Sequence, residues 1–117
     1  MSAQIKNFDQ AKQLINQAIK INPSHPDAYN NLGNVLKELG ERKKAISCYE
    51  KAIKINPKHP DAYYNLGIVL KELGELQKAI SCYEKAIKIN PKHPDACNNL
   101  GNVLKELGER KKAISCY

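Results

Sequence analysis

Apolar residues recur along this chain at spacings of three and four. Tyr29, Leu32, Leu36 and Leu39, widened by Ala28 and Val35, form one such series, and Ala45, Ile46, Tyr49, Ala52, Ile53 and Ile55 form the next. Both series have the period of a helix that buries one face. The punctuation agrees. Pro26 suits a first helical turn, where its missing N–H leaves no bond unmade, and Asp27 beside it complements the positive end of the helix dipole. Gly40 is suited to a left-handed C-terminal cap, and Asn56-Pro57 ends the second series. The pattern predicts two short helices joined by a tight turn. Helices of this length are marginal alone, so they must pack against neighbours.

The pair is then repeated. Residues 26–59 and 60–93 are near-copies with a period of 34, differing at Asn30/Tyr64, Asn34/Ile68, Arg42/Leu76 and Lys43/Gln77. Residues 94–117 match the first copy except for Cys97 in place of Tyr29, and residues 8–25 align with the second half of the unit. The expected organisation of 1–117 is one domain. It comprises a half repeat at 1–25 holding only a second helix, whole repeats at 26–59 and 60–93, and a truncated repeat at 94–117.

The repeat resembles the tetratricopeptide-repeat (TPR) family. That family's signature runs aromatic, two residues, Leu-Gly, a large residue, then Ala, aromatic, Ala and Pro. Here it is met by Tyr29, Leu32-Gly33, Leu36, Ala45, Tyr49, Ala52 and Pro57, and again by Tyr63, Leu66-Gly67, Leu70, Ala79, Tyr83, Ala86 and Pro91. The resemblance implies an all-α fold, a right-handed α-solenoid of stacked helix-turn-helix hairpins. First helices would line a concave groove and second helices the convex back. It further implies a non-catalytic scaffold that binds an extended peptide or a partner helix in that groove.

With the apolar stripe turned inward, asparagine dominates the first-helix residues left for the groove. The expected binding residues are Asn30, Asn31, Asn34, Tyr64, Asn65, Ile68, Asn98, Asn99 and Asn102. Asn31, Asn65 and Asn99 recur in register, and stacking at typical interhelix distances would space them by roughly 10 Å. A carboxamide offers both an acceptor and donors, the two partners that a peptide unit needs. Such a ladder is similar to that in the repeat superhelix of O-linked N-acetylglucosamine transferases, without carrying over their catalysis. A carboxylate clamp for acidic tails would need cations where Asp27, Asp61 and Asp95 stand. Tyr64 and Ile68 replace two asparagines one turn apart, which would place an apolar anchor in the middle unit. Equally, the asparagines could be surface residues copied by duplication.

Composition narrows the chemistry. The formal charge of +7 is spread thinly, as +2, +3, +1 and +1 over the four segments, with acidic residues interleaved. Nucleic acid is therefore not the expected partner. Cys48, Cys82 and Cys116 recur at the repeat period, which reads as buried reduced thiols rather than a disulfide framework. Cys97 reads as a small packing substitute. His25, His59 and His93 sit in equivalent turns one repeat apart, too far to share a metal, and suit a turn or cap role. No nucleophile–base pair, paired carboxylates or phosphate loop occurs, so neither enzyme activity nor a cofactor is expected. The opening residues carry no apolar leader and no run is long enough to span a bilayer, giving a cytoplasmic expectation with no membrane contact. The incomplete terminal repeats suggest homo-oligomerisation, a fragment of a longer array, or the recognition arm of a larger enzyme.

Overall fold

A computed structural model of the chain describes residues 2–108, with side chains from residue 7 onward. Arg110, Lys111, Lys112 and Cys116 lie outside the described residues. Six helices follow in order: α1 (Ser2–Ile21), α2 (Pro26–Glu38), α3 (Arg42–Ile55), α4 (Pro60–Glu72), α5 (Leu76–Ile89) and α6 (Pro94–Glu106). No strand occurs among the described residues. The fold class is the all-α one of helical hairpins. Two compact units divide the chain, Met1–Pro57 with α1, α2 and α3, and Lys58–Tyr117 with α4, α5 and α6.

In the first unit α2 packs on α3 around Ala28, Leu32, Leu36, Ala45, Tyr49 and Ala52, all buried. The approach is close because Gly33 has no side chain: a Cβ there would lie 2.5 Å from Cε1 of Tyr49. Tyr49 can fill that space only against a glycine. Helix α1 packs on α2, and Lys12 reaches Glu41 in the following turn at 3.6 Å. The outer side of α1 leaves Leu14 and Ile21 exposed, at 66% and 85%.

The second unit uses the same chemistry. Gly67 meets Tyr83 as Gly33 meets Tyr49, with a Cβ–Cε1 separation of 2.6 Å. Helix α5 packs on both α4 and α6, so its Ala79, Ile80, Cys82, Tyr83 and Ala86 are buried. Fully burying a side chain such as Leu or Ile contributes about 1.5–3 kcal/mol, which outweighs what these short helices could supply alone.

The ends of α2, α4 and α6 are closed locally. The imidazole Nδ1 of His25, His59 and His93 accepts the backbone N–H of Ala28, Ala62 and Ala96 at 3.3, 3.2 and 3.1 Å. These histidines are N-caps, and accepting at Nδ1 requires the neutral ring with its proton on Nε2. At the other end Gly40 adopts φ 80°, which lets Gly40 N–H reach Lys37 O at 3.0 Å and Glu41 N–H reach Leu36 O at 2.8 Å. That bond pair is a Schellman cap. Lys44 and then Lys12 hold the Glu41 carboxyl below the usual glutamate range, despite some opposing desolvation.

The cysteines divide. Cys48, half-buried, and Cys82, buried, are free thiols, and burial pushes the Cys48 thiol up. Cys97 is disulfide-bonded, which corrects its reading as a mere packing substitute. Nothing in the repeat pattern marks it, because Cys97 stands where the other copies carry tyrosine.

Candidate functional site

The asparagines and their replacements lie on the first helices α2, α4 and α6, and their surroundings differ. On α2, Asn31 is exposed, whereas Asn30 is buried, only 7% exposed. Asn34 is half-buried, and its Oδ1 accepts the hydroxyl proton of Tyr49 at 2.6 Å. Of the three, Asn31 presents its carboxamide outward. Spacing alone places all three on one outward face and misses that the side of the helix bearing Asn30 and Asn34 meets its neighbours.

On α4, Tyr64, Asn65 and Ile68 are half-buried, while on α6 Asn98 and Asn102 are exposed and Asn99 is half-buried. The structure joins part of this set. Asn99 Nδ2 donates to the Tyr64 hydroxyl at 3.4 Å, so two neighbouring first helices share one polar contact. The Tyr64 ring lies 4.9 Å from the ring of His93 and 6.2 Å from that of Tyr83. His93 Nε2 in turn faces Asp61 Oδ1 at 3.5 Å. Lys71 and Glu106 also link α4 to α6, at 3.6 Å. Tyr64, Asn99, His93 and Asp61 thus form one cluster in the second unit.

A consequence of the Asn34/Ile68 difference sits beneath this cluster. Tyr83 is the copy of Tyr49, but Ile68 stands where Tyr49 finds its acceptor. Tyr83 is fully buried and its hydroxyl has no hydrogen-bond partner among the described residues. Leaving such a group unpaired costs about 1–3 kcal/mol. Burial raises the Tyr83 phenol far above its ordinary range, opposed by the nearby Asn99 amide. Burial, then Asp95, raises Tyr64 as well, while the Asn99 bond lowers it. The sequence signal for this was present, since Asn34/Ile68 is one of four differences between the copies. Its partner fifteen residues away could not be read without the helix packing.

Among the described residues no group of three or more His, Cys, Asp or Glu side chains is placed to hold a metal ion. No helix there is long and apolar enough to cross a membrane.

Known proteins agree with this architecture. A TPR-repeat family model matches residues 4–40 and 33–74, and two tetratricopeptide-repeat models match 60–93 and 82–116. The chain belongs to the tetratricopeptide-repeat family. Among solved structures it is similar to MamA, with 30% identity and a TM-score of 0.87 over 96% of this chain and 66% of that one. It is also similar to YrrB, described as a TPR protein with an unusual peptide-binding site, with 28% identity and a TM-score of 0.84. That match covers 87% of this chain and 53% of YrrB, so the present chain spans less than two thirds of either relative. No curated protein sequence matches significantly.

Proposed function

We propose that the chain is a non-catalytic scaffold that binds an extended peptide or a partner helix along the outward faces of its first helices. The binding residues are Asn31 in the first unit and Tyr64, Asn65, Ile68, Asn98, Asn99 and Asn102 in the second. Asn30 and Asn34, buried and half-buried, support that surface rather than contact a ligand. One observation carries the reading: Asn99 of α6 bonds to Tyr64 of α4, so side chains of neighbouring first helices already form a common surface. Family membership supports a protein-interaction role, and the peptide-binding site named for YrrB supports a peptide ligand. Carboxamides would meet the peptide backbone while Tyr64 and Ile68 supply apolar contact. The setting we propose is cytoplasmic; the free thiols of Cys48 and Cys82 weigh for it and the Cys97 disulfide weighs against it.

A peptide-array screen tests this. The chain should bind a subset of peptides, and the triple variant N31A/N65A/N99A should lose most of that binding. Unchanged binding by the triple variant removes the carboxamides from the account.

A second reading is self-association, favoured by the exposure of Leu14 and Ile21 on one side of α1. Light scattering at high micromolar concentration distinguishes it: a dimer or larger species supports it, and monomer alone excludes it.

A further inference from the structure

The cluster in the second unit has a chemical bias that an asparagine surface lacks. Its exposed charged groups are carboxylates. Asp61 carries a carboxylate that is 67% exposed, and Asp95, exposed in the first turn of α6, carries another. Asn99 uses its Nδ2 on Tyr64, which leaves its Oδ1 to accept. Beneath them the fully buried Tyr83 hydroxyl lacks a partner among the described residues, and its ring lies 6.2 Å from that of Tyr64.

The neighbouring cations do not cancel this bias. Lys71 is held by Glu106 at 3.6 Å, and His93 accepts the Ala96 N–H at Nδ1 and turns its Nε2 to Asp61. Burial first, and then the Asp95 carboxylate, raise the Tyr64 phenol above its ordinary range. This local sign opposes the +7 of the whole chain.

We infer that the α4–α6 face of the second unit takes an arginine side chain of the bound peptide, with Asp61 and Asp95 as countercharges and Tyr64 as the stacking surface. A guanidinium has five donors and no acceptor, so it complements the carboxylates and the Asn99 Oδ1, and its plane suits a tyrosine face. It can grip a carboxylate through two parallel N–H···O bonds, which a compact ammonium cannot. The inference rests on the groove reading above and adds the ligand's chemistry to it.

The test uses the whole chain and three acetylated, amidated ten-residue Ala/Ser peptides that differ only in a central Arg, Gln or Glu. Fluorescence anisotropy should show the Arg peptide binding about tenfold more tightly than the other two. The double variant D61N/D95N, with its helical content checked by circular dichroism, should lose that preference. The Asn99 side-chain amide resonances should shift on adding the Arg peptide. Equal or tighter binding of the Glu or Gln peptide, or an Arg preference that survives in D61N/D95N, overturns the arginine site. If the peptides bind equally and N31A/N65A/N99A abolishes binding, the groove stands and the arginine site falls; if none of a full array binds, the groove reading itself falls.

Discussion

The Tyr49 hydroxyl donates to Asn34 Oδ1 at 2.6 Å, and the hydroxyl of its copy Tyr83, with Ile68 at the position equivalent to Asn34, is buried without a hydrogen-bond partner among the described residues. Two residues at equivalent positions, with the same ring packed on a glycine, thus differ in the satisfaction of one oxygen. Removing that oxygen should have opposite effects. Tyr49→Phe should cost about 1–2 kcal/mol, because a bond is lost and Asn34 is left half-buried without it. Tyr83→Phe should be neutral or stabilising by up to about 1 kcal/mol. Urea denaturation midpoints of the two variants check this, and equal losses would contradict it.

The same group sets an alkaline limit. The Tyr83 phenol is raised in the folded state, chiefly by burial. A raised folded value means that its contribution is whole below the unfolded tyrosine range, about 10, and is lost as pH rises from there toward the folded value. Thermal unfolding between pH 9 and 11 should therefore show a falling midpoint, and Tyr83→Phe should flatten that fall.

The close approach at Gly33 and Gly67 predicts intolerance to a single methyl. A Cβ at Gly33 would lie 2.5 Å from Cε1 and 2.8 Å from Cδ1 of Tyr49, whose ring is fully buried and cannot yield outward. Gly33→Ala should destabilise by about 1–3 kcal/mol, and Gly67→Ala similarly. The double variant G33A/Y49L, which shortens the opposing side chain, should recover part of the loss.

Acid should act through Glu41. Its carboxyl is held low, first by Lys44 at 3.2 Å and then by Lys12. A depressed folded value means that this contribution is present above the unfolded glutamate range and is lost as pH falls through the folded value. Lys44→Ala should raise the Glu41 titration midpoint followed by NMR. An unchanged midpoint would assign the shift elsewhere.

The helices and their ends were legible because they depend on local chemistry. Pro26, Gly40 and Asn56 mark boundaries through backbone restrictions that act within a few residues, and helix period identifies Leu32, Leu36, Ala45 and Tyr49 as core. The histidines were legible as turn or cap residues, though their Nδ1 bonds needed coordinates. The site was less legible. Asn30 and Asn34 look as polar as Asn31, but one is buried and the other serves Tyr49, because what borders each side of α2 is decided by packing rather than by spacing. Leu14 and Ile21 show the converse, since they are apolar and yet exposed. Polarity predicts burial only where a neighbouring helix is present to receive the side chain.

Mapping backbone amide shifts of the isotopically labelled chain during titration with a peptide selected from the array tests the interaction surface most directly. Perturbations should concentrate on α2, α4 and α6 around Asn31, Tyr64, Ile68 and Asn99. Perturbations confined to α3 and α5, leaving those residues unmoved, would contradict it.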